Sequence, residues 1–149
     1  MSVRKRFDRA LYEAYDQKAK DALTEHLRDR GHSVEVKKED YYVDVVSTKN
    51  GNTYYNEAEV KIAWEGDWPK DWAEIRIPER KTRLLKKYQN ETGFLNFYIF
   101  DKNLAQVWRI RDTSLRQDHL KEAKGRYIQK GELFYHIPYT EAELIVLGK

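Results

Sequence analysis

Asn50-Gly51 sits between two runs of alternating polarity, and this arrangement constrains the chain more than any other feature in it. Asn-Gly is a strong hairpin signal, because both residues accept the positive φ that a tight turn between twisted strands requires. Upstream, Tyr42-Val43-Asp44-Val45-Val46 alternates like a half-buried strand, and so does Tyr54-Tyr55-Asn56-Glu57-Ala58-Glu59-Val60-Lys61-Ile62 downstream. Successive strand side chains face opposite sides of a sheet. Ala58, Val60 and Ile62 therefore share one face, and Glu57, Glu59 and Lys61 the other. Folding the two runs about Lys49-Asn50-Gly51-Asn52 is expected to bring Asp44 beside Glu59. The expected group is Asp44, Glu59 and Lys61, with Glu57 at its edge.

Such a group suits phosphodiester hydrolysis. Two carboxylates held close together repel, and a divalent cation relieves the repulsion. Mg²⁺ takes oxygen ligands, commonly one or two carboxylates with waters and phosphate oxygens. A bound metal lowers the pKa of its water and polarises the phosphate. A neighbouring lysine orients the attacking water or offsets charge on the phosphorane. The plainer reading of the same residues is a solvated strand face with an ordinary Glu–Lys pair. Glu57, one pleat or roughly 7 Å from Glu59, is placed to support a second metal or a water.

In these residues the chain resembles the PD-(D/E)xK nuclease superfamily. Asp44 stands where the family has its metal-binding aspartate, and Glu59-Val60-Lys61 matches (D/E)-x-K. Val43 replaces the proline that often precedes the aspartate. The resemblance covers about residues 8–112 and implies an α/β restriction-endonuclease-like core, a central mixed sheet flanked by helices in the order α-β-β-β-α-β-β. Residues 1–7 would then be a basic arm and 113–149 a C-terminal extension of one domain. The resemblance further implies a Mg²⁺- or Mn²⁺-dependent deoxyribonuclease, with the metal held by Asp44, Glu59 and the carbonyl of Val60. An acid on the first helix would join from the side; Asp16 is the candidate, with Asp21 and Glu13 as alternatives. Small single-domain members include Holliday-junction resolvases, which work as homodimers on branched DNA. Some members lose activity, so a non-catalytic nucleic-acid-binding or protein-interaction module on this fold is the alternative.

With 149 residues the chain is long enough to bury a core. It has no cysteine, which excludes disulfides, cysteine–zinc sites and thiol catalysis and is compatible with a cytoplasmic protein. No apolar run approaches the roughly 20 residues that span a bilayer, and no secretory signal is visible. The net charge is only +3, so a DNA partner must be argued from where the cations lie. They concentrate around the segment expected to be the second helix, Ile77-Pro78-Glu79 to about Glu91: from residue 76 to residue 87, Arg76, Arg80, Lys81, Arg83, Lys86 and Lys87 stand against Glu79 alone. Arg76, Arg80, Lys81 and Arg83 are the expected phosphate contacts.

The remaining segments frame this site. Residues 8–30 carry Leu11, Tyr15, Ala19, Ala22, Leu23 and Leu27 at helical spacing, with Gly31 as the stop. Strands are expected at 33–37, 41–48, 53–63, 94–100, 105–111 and 126–137, a short polar helix at 113–124 and a tail element at 140–147. Trp64, Trp68 and Trp72 crowd a loop with Gly66 and Pro69. They can stack on unpaired bases, cover the core edge or form a dimer seam. The four histidines show no metal spacing, and no glycine-rich phosphate loop or hydrolase triad motif is present.

Overall fold

A computed structural model describes residues 9–34, 43–88, 93–123, 128 and 130–147, with side chains from residue 14 onward. The chain begins with α1 (Arg9–Asp29). Ala19, Leu23 and Leu27, four residues apart, form its buried stripe, with Ala22 partly covered beside them. Gly31 closes the helix at φ +87°, where only glycine sits without strain. Gly31 N–H bonds to the Arg28 carbonyl and His32 N–H to that of Leu27, the paired bonds of a Schellman cap. The Leu11 and Glu13 side chains, the basic arm and residues 35–42 lie outside the described residues.

A six-stranded mixed sheet follows. Strands β1 (Ser33–Val34), β2 (Val45–Lys49) and β3 (Asn52–Val60) run antiparallel in succession. Asn50 and Gly51, at φ 52° and 80°, make the two-residue turn that pairs Lys49 with Asn52. The chain then passes through β4 (Glu74–Pro78), a 3₁₀ turn (Glu79–Lys81) and α2 (Thr82–Tyr88). It returns as β5 (Phe94–Phe100), parallel to β3. β6 (Gln106–Arg111) pairs antiparallel with β5. The sheet order is β1-β2-β3-β5-β6, with a last strand, β9 (Glu143–Val146), beside β6.

Two departures from the sequence reading matter. Ile77-Pro78 does not start a helix; it ends β4. Ile75 and Ile77 are fully buried while Glu74 before them and Arg76 between them are exposed, a period of two that outweighs the proline signal. Likewise, 113–124 is not a helix. It forms 3₁₀ turns at Asp112–Ser114 and Gln117–His119 and then β7 (Leu120–Glu122). Its apolar residues, Leu115, Leu120 and Ala123, are not spaced to make a helical stripe. With β8 (Leu133–Pro138), these strands build a second, three-stranded sheet in the order β4-β8-β7.

The large sheet is buried on both sides. On one face Val45, Tyr98, Phe100, Val107 and Ile145 meet α1. On the other, Leu95, Phe97, Ile99 and Ile110 meet Ile75, Ile77, Tyr135 and Ile137 of the small sheet, with Leu84 and Tyr88 of α2. The segment after residue 112 is therefore no appendage, since β8 is central to one sheet and β9 extends the other. The architecture is α/β with a mixed sheet, as expected.

Gly93 leads into β5 in a space with no room for a side chain. A Cβ there would stand 2.6 Å from the Thr53 carbonyl oxygen and 2.8 Å from the Tyr55 ring. The first contact is backbone inside a paired strand and cannot swing away. Gly93→Ala is expected to cost about 1–3 kcal/mol in chemical denaturation, as overpacking does.

Candidate metal and phosphate site

The turn at Asn50-Gly51 fixes which acids meet. With Lys49 opposite Asn52, the ladder runs up to Val45 opposite Asn56, and its continuation sets Asp44 against Glu57. The Asp44 N–H donates to Glu57 Oε2 at 2.9 Å, and the Ala58 N–H donates to Asp44 Oδ2 at 2.8 Å. This corrects the expectation that Asp44 lies beside Glu59. A turn centred on Asn50-Gly51 sets Glu57, not Glu59, against Asp44; Glu59 would need the turn centred one residue later. Glu59 lies exposed, two residues further along β3.

Each of the two carboxylates spends one oxygen on a backbone N–H, which fixes its orientation, and turns the other toward an ammonium. Lys81 Nζ lies 2.8 Å from Glu57 Oε1, and both side chains are largely covered, at 19% and 8% exposure. Lys20 Nζ, from α1, lies 3.6 Å from Asp44 Oδ1 and 3.1 Å from Asp16 Oδ2. Asp16 thus reaches the site through Lys20. Asp21, the alternative on this helix, is exposed and accepts a hydrogen bond from Gln17. The cluster sits where β2 begins, with α1 to one side and the 3₁₀ turn to the other. Tyr55 stacks on Tyr88 at 4.1 Å and 25°, and Thr82 bonds to the Tyr135 hydroxyl, so packing holds the turn that carries Lys81.

The other expected residues go elsewhere. Lys61 Nζ stands 5.2 Å from the centre of the Trp72 ring, a cation–π arrangement. Its N–H donates to the Phe100 carbonyl. The Val60 side chain packs toward the α1-side core. The tryptophan loop covers the core edge: Trp64 is fully buried, and Trp68 sits edge-on to Trp64 and Trp72 at 5.1 Å each and to Trp108 at 5.5 Å. Their indole N–H groups are spent inside the loop, Trp64 on the Gly66 carbonyl and Trp68 on that of Trp72. Of the expected phosphate contacts, Arg76 is exposed on β4, Arg80 is half-buried in the 3₁₀ turn and Arg83 is exposed on α2. Lys81 is not a solvent-facing helix cation but the partner of Glu57. Lys20 was not singled out from the sequence; the signal for it is its place one helical turn after Asp16, beside the buried stripe.

Among the described residues, no group of three or more His, Asp or Glu side chains is arranged to hold a metal ion. Two carboxylates with water and phosphate oxygens are nevertheless the ligand set that Mg²⁺ commonly takes. The donor set fits on that count, because Asp44 and Glu57 are hard oxygen donors already pressed together. No protein-family model matches the chain, and no curated protein matches it.

Burial pushes the Asp44 carboxyl up to about 6, and the negative charge of Glu57 adds to the shift; the Ala58 hydrogen bond and Lys20 oppose it. The folded protein therefore holds this proton more tightly than the unfolded chain does. Stability from this group is full below its unfolded pKa of about 3.9 and is lost as pH rises through about 6. Asp44→Asn keeps an oxygen for the Ala58 N–H and carries no charge. In EDTA it is expected to melt above the wild type at about pH 8, with the gap closing toward about pH 4. Thermal denaturation at the two pH values checks this, and a gap independent of pH would show that Asp44 binds its proton no more tightly in the folded protein than in the unfolded chain.

Proposed function

We propose that the protein is a metal-dependent nuclease that hydrolyses nucleic-acid phosphodiesters, with DNA as the first substrate to test. The observation that carries this reading is the Asp44–Glu57 pair, two carboxylates fixed against each other by backbone N–H groups with an ammonium at each outer oxygen. A solvated strand face has no need of a partly buried acid pair, since burying charge is costly unless it is matched. The element order gives further support. Three antiparallel strands, a crossover containing a helix and a strand parallel to the third is the succession that the PD-(D/E)xK resemblance implies.

On this reading Asp44 and Glu57 hold Mg²⁺ or Mn²⁺. When bound, the metal supplies an acidified water and a polarised phosphate. Glu59, about 7 Å along the same strand face, takes the supporting role expected of Glu57. Lys20 and Lys81 offset charge on the phosphate. Arg76 and Arg83, with Lys86 of α2, are exposed cations available to the phosphate backbone. A homodimer that cuts a four-way junction twice is the form of the activity implied by the resemblance.

The rival reading is a non-catalytic nucleic-acid-binding module. It draws on the two lysines, which already neutralise much of the acid pair. Such a module would bind DNA equally well in EDTA and cleave nothing.

A cleavage panel of single-stranded, duplex, flap and four-way-junction DNA with Mg²⁺ or Mn²⁺ separates the two readings. Asp44→Asn and Glu57→Gln are expected to lower cleavage by about 10²-fold or more, the scale of removing one preorganised group. Lys61→Ala, whose ammonium rests on Trp72, is expected to cost less than either. Absence of cleavage on every substrate with both metals would overturn the proposal. Replacing Arg76 and Arg83 by alanine should flatten the slope of log affinity against log salt by about one to two units. An unchanged slope would place these cations away from the DNA.

A further inference from the structure

The two lysines that face the acid pair occupy the oxygens that a metal would need. Lys81 Nζ takes Glu57 Oε1, and Lys20 Nζ faces Asp44 Oδ1. The remaining oxygen of each acid accepts a backbone N–H of the hairpin, which fixes the carboxylate's orientation and leaves that oxygen the poorer ligand. A divalent ion entering the free protein therefore meets an ammonium at each carboxylate and must compete with its charge.

We propose that Lys20 and Lys81 form a cation latch that keeps divalent metal out of the free protein and opens when nucleic-acid phosphate draws the lysines away. The proposal rests on the nuclease reading above. A phosphodiester chain offers a dense row of anionic oxygens, and both ammoniums are on side chains long and flexible enough to reach for them. Lys20 needs the least movement, because it is already closer to Asp16, at 3.1 Å, than to Asp44, at 3.6 Å. Asp16 is then a resting place for Lys20 rather than a metal ligand. Lys81 is the tighter half, since its pair with Glu57 is short and mostly covered. Metal and nucleic acid become mutually cooperative ligands, each relieving the charge that opposes the other, and the coupling must be reciprocal. The device favours metal loading only where there is a phosphate to cut.

The test is Mn²⁺ titration of the full chain, read by calorimetry and by the electron paramagnetic resonance of free Mn²⁺, without and with a phosphorothioate duplex that resists cleavage. Lys81→Gln keeps a hydrogen-bond donor for Glu57 and removes the charge. It is expected to tighten Mn²⁺ binding in the absence of DNA by about fivefold or more, the lower end of ordinary coupling between sites. Lys20→Gln, a half-exposed position on α1, should act in the same direction and guards against a folding defect at Lys81. The duplex should tighten Mn²⁺ binding to the wild type, and by a smaller factor in Lys81→Gln. The latch is overturned if both glutamine variants, folded by circular dichroism, bind Mn²⁺ no more tightly than the wild type. It is equally overturned if the duplex leaves wild-type Mn²⁺ affinity unchanged. Asp44→Asn separates the two proposals. If it abolishes Mn²⁺ binding while the lysine variants do nothing, the metal site stands and the latch falls. If it leaves Mn²⁺ binding intact, the metal site falls as well.

Discussion

A carboxylate moved into a protein interior costs several kcal/mol unless its charge is met by geometry as well as by a counter-charge. Glu57 is met by both. One oxygen accepts the Asp44 N–H and the other the Lys81 ammonium. This single side chain joins three parts of the fold: the start of β2, the middle of β3 and the 3₁₀ turn before α2. The small sheet and α2 are laid over the large sheet by apolar contact. Apolar contact alone is not directional, and the Glu57–Lys81 bond fixes where the turn sits along β3. Burial first, and then the second negative charge that Glu57 places beside it, raise the proton affinity of Asp44.

What could be read in the sequence was local. The hairpin at Asn50-Gly51 depends on two adjacent residues, and the α1 stripe on spacings of three and four. The paired strands β5 and β6 depend on an apolar, aromatic-rich run and on a run in which Trp108 and Ile110 alternate with Arg109 and Arg111. All were placed to within a residue or two. The site was legible in its residue types but not in its register. Asp44, Glu57, Glu59 and Lys61 were all singled out. Which of the glutamates faces Asp44 depends on whether the turn is centred on Asn50-Gly51 or one residue later on Gly51-Asn52, and both leave the alternation of the strands intact. Lys81 lies 24 positions from Glu57 in the chain, and nothing in its own neighbourhood announces the contact. β4 was hidden by the proline at its end and by the arginines around it. Its strand character lies in two isoleucines that only a partner sheet can cover.

The tryptophan loop shows how an aromatic cluster can serve a site without touching it. Trp68 meets Trp64, Trp72 and Trp108 edge-on, and the four seal the end of the large sheet where β3 leaves it. Trp72 also presents its face to Lys61. The lysine of the sequence motif is thereby drawn toward the packing cluster, and the cationic role beside the acids passes to residues from α1 and from the turn before α2. A similar ladder spans the opposite end of the sheet, where Tyr54 stacks on Phe94, His32 meets Tyr54 edge-on and Arg111 covers Phe94.

The last strands have a consequence for how the molecule is made. β8 is the middle strand of the small sheet, and β9 is the outer neighbour of β6 in the large one. While a ribosome is still adding residues 133–146, β4 and β7 have no strand between them and the buried isoleucines of β4 stay open to water. Neither sheet can be completed from its N-terminal part, so folding cannot proceed piece by piece as synthesis advances. The nascent chain must wait for residues 133–146 before either sheet is completed, and contacts of such long sequence separation form slowly. Until then the apolar faces that the two sheets share stay exposed, the condition under which partly made chains aggregate.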